Sequence, residues 1–425
     1  MFDRVYRQRL EADLARWETD GVITPAARLA ISGALPPLSA GANVGAVVGV
    51  VGGLLIAAAF LAFVAAHWTD LPRLLRLAVL VAGIVGTHGI GAWFARAGRP
   101  ILADLCASVG AIIFGAGIAL VGQMYHMSGD FAAGILLWAA GALVSAALTG
   151  SRGALAVALV AGSTWSGMRV ADLHDVPHLP FVLFWLIAAG LALAWKSRAA
   201  AHLVALATLP WWIMAAAWTG SEVHYQPFLV VANGAALLFG VGLALAAAPW
   251  QRMRDAGAVL SIYGALSLAV VAALVMLMTE DSFLFLRMKE AAAYPLWIIS
   301  CGIAGVLLAF VAAAMKRQSS AIFAGIAVAL VVAAAAAWIP GQFVHPQRAY
   351  IAGLAAMLCL IISGTLDAAR PRIVAGWLGM AGVIALITWT MKSSLLYRSA
   401  FLAAAGAVAI VLAIAFNRLL PRTDE

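Results

Sequence analysis

The chain has 425 residues, of which 65% are hydrophobic and only 10% are charged, and its mean hydropathy is +1.02. This composition excludes a water-soluble globular protein, because so few polar residues cannot cover a surface that faces water. The formal net charge of +8 does not indicate a nucleic-acid partner, since the basic residues occur singly or in pairs between long apolar runs.

Residues 1–40 predict a small cytoplasmic module of two helices. Four apolar residues share one face of the first helix: Val5, Leu10, Leu14 and Trp17. A turn follows at Asp20 and Gly21, and Thr24 is suited to cap a second helix with Pro25 at its first position. Two helices this short bury little apolar area, so we expect them to dock on the bundle, on a protein partner or on lipid.

Residues 41–425 consist of long apolar segments and predict an all-α, polytopic transmembrane helix bundle. A helix needs roughly 20 apolar residues to cross the hydrocarbon core, and it satisfies its own backbone hydrogen bonds there. Fourteen segments fit this requirement: 41–66, 74–95, 101–122, 131–149, 154–170, 181–195, 202–219, 228–249, 257–279, 295–315, 321–339, 349–366, 373–390 and 399–416. The fifth and sixth are short, and twelve spans result if these two form a re-entrant hairpin.

The distribution of basic residues predicts that both termini lie in the cytoplasm, where loops carry an excess of Lys and Arg. With the N-terminus inside, 18 of the 26 Lys and Arg residues fall in cytoplasmic segments. The eight on the outer side are Arg73, Arg76, Arg169, Arg287, Lys289, Arg348, Lys392 and Arg398. Arginine far outnumbers lysine and alanine is abundant, which is typical of a GC-rich bacterial genome, so we expect a bacterial inner membrane.

Tryptophans recur at the outer ends of the outward-going helices. They are Trp68, Trp165, Trp218, Trp338 and Trp389. An aromatic belt at the lipid–water interface explains them most simply. Their spacing also leaves open an array of duplicated helical hairpins, as in some transporters.

Three stretches carry a resemblance to a known family: WETDGVIT at residues 17–24, AAHWTDLPRLLRL at 65–77 and GQMYHMSGD at 122–130. They resemble the bacterial predicted membrane proteins grouped as domain of unknown function 2157. The resemblance covers about the first 150 residues. It implies a polytopic inner-membrane protein with a short cytoplasmic N-terminal motif, and it implies no reaction, cofactor or substrate.

Polar residues gather at the first two predicted outer turns, and we treat them as a candidate outer-face site. The first turn holds His67, Asp70 and Arg73, and the second holds Gln123, Tyr125, His126 and Asp130. Such donors and acceptors could hold a polar headgroup or the polar end of a lipid-linked sugar. Asp70 also invites comparison with membrane glycosyltransferases, although the loop is short for such an enzyme. Helix capping and interfacial anchoring explain the same residues without a ligand.

We predict no metal site and no cofactor. Six histidines lie near the outer boundary: His67, His126, His174, His178, His224 and His345. Zinc or copper would need three or four converging ligands, and solvated loop residues are the simpler interpretation. GxxxxGKS, GxGxxG and HExxH motifs do not occur in the sequence.

Ionisable residues inside the predicted spans are few. His88 lies deep, and Asp104 lies near the inner end of its span. Charged groups within a membrane are costly and usually functional, so a chain this poor in them does not resemble a pump with a carboxylate relay.

Three hypotheses about function follow. The leading one is transport or handling of an amphipathic or lipid-linked molecule without enzymatic turnover. The second is an integral membrane transferase that acts at the outer face through Asp70 with His67 or His126. The third is a structural or sensory scaffold that recruits a protein through its N-terminal module. Membrane lipid is an expected partner in each case.

Overall fold

A computed structural model describes residues 2–34, 52, 55, 59, 72–126, 129–173, 178–221, 227–277, 296–316, 319–336, 346–391 and 394–419. Over these residues the chain forms only helices and the connections between them. The helices are α1 (Phe2–Thr19), α2 (Pro25–Ala34), α3 (Arg73–Arg96), α4 (Pro100–Met124), α5 (Phe131–Thr149), α6 (Arg152–Leu173), α7 (Leu179–Ala194), α8 (Arg198–Ser221), α9 (Pro227–Ala247), α10 (Gln251–Leu274, then a 3₁₀ turn Val275–Leu277), α11 (Leu296–Lys316), α12 (Ser319–Ala336), α13 (Pro346–Leu366), α14 (Arg370–Thr390) and α15 (Leu395–Leu419).

Eleven of the described helices are long and apolar enough to cross a bilayer, so the all-helical polytopic architecture is confirmed. Each predicted span corresponds to one helix except the first, residues 41–66, which lies outside the described residues apart from 52, 55 and 59. The span predicted at 131–149 has the same ends as α5. With 16 residues, α7 is about 24 Å long at 1.5 Å per residue, which is less than the hydrocarbon thickness of about 30 Å.

Two helices, α1 and α2, form the described N-terminal part of the chain. Thr24 caps α2, because its Oγ1 accepts a hydrogen bond of 3.2 Å from the Ala27 backbone N–H. Leu14 is buried, and Arg28 Nη1 lies 2.5 Å from Glu18 Oε2, which joins the two helices. No described residue of α2 is buried, so this helix is held by few contacts.

The chain divides into two compact units, Met1–Ile113 and Phe114–Glu425. In the second unit α9 occupies the centre and packs against α8, α10, α11 and α12. Glycines allow this packing: a Cβ atom on Gly240 would lie 2.2 Å from the Gly305 carbonyl oxygen on α11. A Cβ atom on Gly257 of α10 would lie 2.2 Å from the Ala246 backbone nitrogen. Backbones can approach this closely only where side chains are absent, as is common between membrane helices.

Three short connections share one backbone geometry. Gly98, Lys196 and Ala368 adopt positive φ angles of 70°, 51° and 51°. In each case the backbone N–H of the following residue donates a hydrogen bond to the carbonyl oxygen of the residue five positions before it. These three bonds are 2.9, 3.4 and 2.8 Å long, and they define a Schellman motif. A basic residue stands one or two positions after the left-handed residue, at Arg99, Arg198 and Arg370. These turns therefore place cations at the start of the following helix.

Candidate functional site

The predicted outer-face set is only partly described by the structure. His67 and Asp70 lie outside the described residues, and Arg73 is exposed at the start of α3. Gln123, Tyr125 and His126 are all exposed where α4 ends, and His126 has a positive φ of 51°. Whether the first and second outer turns form one site therefore stays a prediction.

Asp130 has a structural role at the N-terminus of α5. Its carboxylate accepts a hydrogen bond of 2.9 Å from the Ala132 backbone N–H and so caps the helix. Its other oxygen, Oδ2, lies 3.0 Å from Arg169 Nη2 on α6. The carboxylate thus ties the start of α5 to the end of α6, in agreement with the interpretation of this residue as a helix cap.

A buried polar cluster links α6 to the start of α7. His178 Nδ1 lies 2.9 Å from the Ser166 hydroxyl, and both residues are almost completely buried. Trp165 packs edge-on against the His178 ring with 4.5 Å between the ring centroids. The expectation that His178 is a solvated loop residue is therefore wrong, because the imidazole completes the packing between two helices.

Two of the predicted interfacial tryptophans differ in exposure. Trp165 is buried, whereas Trp389 is 78% exposed, as an aromatic belt requires.

The two intramembrane candidates are partly buried members of the first unit. His88 Nδ1 lies 2.9 Å from the Ile84 carbonyl oxygen of its own helix. A Cβ atom on Gly110 would lie 2.3 Å from His88 Cε1, so this glycine makes room for the imidazole. Asp104 is half-buried on α4. Packing between α3 and α4 accounts for the position of the histidine.

A pocket of about 760 Å³ lies between two short turns of the second unit, and we call it the basic pocket. One turn, 195–197, connects α7 to α8, and the other, 248–250, connects α9 to α10. Its polar lining comprises Lys196, Ser197, Arg198, Gln251, Arg252 and Asp255. Its apolar lining includes Leu193, Ala201, Trp250, Met253 and Ala256. The pocket thus combines cations with an apolar wall.

The helix ends fix the two sides of this pocket. Lys196 is the left-handed residue of its turn, and Ser197 caps α8 by accepting a hydrogen bond of 3.3 Å from the Ala200 N–H. On the other side α9 ends at Ala247, Pro249 lies in the connecting turn, and Trp250 precedes α10 in an extended conformation. The Trp250 ring is 64% exposed at the edge of the pocket.

A network of hydrogen bonds orients the polar groups of the pocket. Arg198 Nη2 lies 3.2 Å from Asp255 Oδ1, which also accepts a hydrogen bond of 3.2 Å from Gln251 Nε2. The Gln251 Oε1 atom accepts a hydrogen bond of 2.5 Å from Arg254. Three cations and one carboxylate line the pocket, which leaves an excess of two positive charges. Arginine and lysine in this arrangement are suited to bind an anionic group such as a phosphate.

One helical turn beyond Arg198, a second polar contact joins α8 and α10. His202 Nδ1 lies 3.2 Å from the Tyr263 hydroxyl, and the two rings are in edge-to-face contact at 5.7 Å. His202 is exposed, and Tyr263 is half-buried. The seam between these helices therefore carries polar side chains one helical turn beyond the pocket.

Among the residues that the structure describes, no group of three or more His, Cys, Asp or Glu side chains could hold a metal ion. Of the six histidines near the outer boundary, only His126 and His178 belong to the described part of the chain. The three cysteines are free thiols within α4, α11 and α13.

The basic pocket was not predicted from the sequence, where its cations served only as indicators of topology. Each turn pairs a tryptophan with nearby basic residues: Trp195-Lys196-Ser197-Arg198 in one, and Trp250-Gln251-Arg252 in the other. That shared pattern is a signal that the sequence does contain. Their convergence is not visible in the sequence, since about 55 residues separate the two turns.

Comparison with known proteins agrees with the membrane architecture and adds no activity. The model of the family described as Predicted membrane protein (DUF2157) matches residues 15–155, about a third of the chain. The match confirms the resemblance carried by the three N-terminal stretches. No curated protein and no solved structure matches the chain. The protein is therefore a helical, multi-pass membrane protein.

Proposed function

We propose that this protein binds an amphipathic molecule with an anionic headgroup at the cytoplasmic face of a bacterial inner membrane, without converting it chemically. The observation that carries the proposal is the basic pocket. It carries three cations against one carboxylate, a hydrogen-bonded network holds Arg198, Gln251 and Asp255, and part of its lining is apolar. Such basic pockets between transmembrane helices bind anionic lipid headgroups on the cytoplasmic side.

The distribution of charge supports the cytoplasmic assignment. Both turns that line the pocket belong to the segments that hold 18 of the 26 Lys and Arg residues. Cations at this level attract the anionic lipids of the inner leaflet, with about 1 kcal/mol contributed by each Lys or Arg near the surface. The pocket therefore lies on the side that the loop charge assigns to the cytoplasm.

The chemistry of the lining favours binding over catalysis. Asp255, the carboxylate in the lining, is engaged by Arg198 and Gln251. The Ser197 hydroxyl is buried and caps α8. Within the described part of the chain, neither group contacts a histidine or a second carboxylate, which an activated nucleophile would require.

Native mass spectrometry of the purified protein with two lipids tests this proposal. Dioleoyl phosphatidic acid should bind more tightly than zwitterionic dioleoyl phosphatidylcholine. Replacing two cations of the pocket, Lys196→Gln with Arg252→Gln, should weaken phosphatidic acid binding about thirtyfold, because about 1 kcal/mol is lost at each position.

A control variant removes the same charge elsewhere. Arg73→Gln with Arg348→Gln changes two exposed cations that the charge count assigns to the outer side. This variant should bind phosphatidic acid as the unmodified protein does. Equal loss in both double variants would mean that net charge alone attracts the lipid, and it would refute the pocket as the binding site.

A further inference from the structure

The contact between His202 and Tyr263 provides a hydrogen-bond donor beside the basic pocket. A neutral histidine carries one N–H, and the tyrosine carries one O–H. The hydrogen bond of 3.2 Å between them uses one of these donors. If Tyr263 donates to Nδ1, the histidine retains its Nε2–H, and if Nδ1 donates, the tyrosine retains its O–H. In either tautomer the pair keeps one further donor.

The position of this pair along α8 specifies where a ligand acceptor should lie. His202 follows Arg198 by four residues, which corresponds to about 6 Å along the helix axis. In a glycerophospholipid the ester carbonyls lie just beyond the phosphate on the hydrocarbon side. A phosphate at Arg198 and Arg252 therefore brings an ester carbonyl to the level of His202.

The surface beyond the pair is suited to an acyl chain. Leu206 and Ile213 continue the face of α8 that carries His202, and they are 50% and 60% exposed. Along α8 this face carries first a cation at Arg198, then a neutral hydrogen-bond donor at His202, and then apolar side chains at Leu206 and Ile213. The same order of chemical groups occurs in a phospholipid, read from phosphate to ester to hydrocarbon chain.

We infer that the ligand of the basic pocket is an ester-linked anionic phospholipid, and that His202 and Tyr263 bind its ester carbonyl. This inference rests on the proposed function and narrows it to one class of amphiphile. A lipid whose phosphate is attached to an isoprenoid chain lacks this carbonyl and would not use the pair.

Binding of three lipids, measured by native mass spectrometry, tests the inference. They are dioleoyl phosphatidic acid, its dialkyl ether analogue, and dioleoyl phosphatidylcholine. The ether analogue keeps the phosphate and the chains but lacks the carbonyl oxygens. We expect the ester form to bind about fivefold more tightly than the ether form, as one added hydrogen bond allows.

A double variant, His202→Leu with Tyr263→Phe, removes both donors of the pair. It should bind the ester and ether forms equally and should still prefer both to phosphatidylcholine, because the cations remain. By contrast, Lys196→Gln with Arg252→Gln should weaken both phosphatidic acids and keep the ratio between them.

Each outcome addresses a different statement. Equal binding of all three lipids to the unmodified protein would overturn the proposed function. A preference for anionic lipids with equal binding of ester and ether forms would overturn only the present inference, and this comparison needs no variant. A preference for the ester that survives in the His202→Leu, Tyr263→Phe protein would overturn the assignment to these two residues.

Discussion

The close contact between α9 and α11 predicts a large effect of one added methyl group. In Gly240→Ala the new Cβ atom would lie 2.2 Å from the Gly305 carbonyl oxygen, whereas ordinary contacts begin at 3.4 Å. Because the obstacle is backbone, no side-chain rotation can relieve it, and the helices must separate by about 1.2 Å at this point. Gaps of this size forfeit a large part of the attraction between packed atoms.

We expect Gly240→Ala to lower the free energy of unfolding by about 1–3 kcal/mol, the range typical of overpacking. Unfolding of the purified protein by dodecyl sulfate in mixed micelles measures this value. Gly190→Ala on α7 is the matched control, since its Cβ atom would meet nothing within 4 Å. The control should leave the free energy unchanged or raise it by up to about 1 kcal/mol, because alanine favours helix over glycine. Equal behaviour of the two variants would refute the packing described for α9.

Two further predictions concern the buried cluster and the orientation of the chain. Ser166→Ala removes the hydroxyl that contacts His178, so the free energy of unfolding should fall by about 1–3 kcal/mol. The control, Thr164→Ala, removes an exposed hydroxyl on the same helix and should change the free energy of unfolding by less than about 0.5 kcal/mol. A similar loss of unfolding free energy in both variants would mean that the buried hydrogen bond stabilises the protein no more than an exposed hydroxyl does. In a protein without its native cysteines, a membrane-impermeant maleimide should label Lys196→Cys only from the cytoplasmic side and Tyr125→Cys only from the other side. The reverse labelling pattern would show that the predicted orientation of the chain is wrong.

The helices could be predicted from the sequence because composition alone determines which segments can enter a bilayer. The predicted and observed ends of α5 are the same because clear signals stand at both. Asp130 caps its start, and Gly150 follows its last residue in a left-handed conformation. The span predicted at 257–279 begins six residues after the start of α10 at Gln251. The first turn of α10 is polar, so its hydropathy excluded it from the predicted span. A helix can nevertheless begin in the headgroup layer before it enters the hydrocarbon.

The site was harder to predict because it depends on contacts between distant segments. His178 was expected in solvent because it follows a short polar loop, but its ring is enclosed by Trp165 and Ser166 of the preceding helix. Arg198 and Asp255 meet although 57 positions separate them. No periodicity within one helix indicates such a pair, and only the packing of α8 beside α10 brings the two side chains together.

Crosslinking at one residue tests the central proposal most directly. A photoreactive benzoylphenylalanine replaces Trp250, which is 64% exposed at the basic pocket, or Trp389, which is 78% exposed at the far end of α14. The protein is illuminated in bilayers that contain phosphatidic acid and phosphatidylcholine, and the lipid adducts are identified by mass spectrometry. We predict that adducts at position 250 are enriched in phosphatidic acid relative to the bilayer and that adducts at position 389 follow the bulk composition. The same lipid composition at both positions would contradict an anionic lipid site at the basic pocket.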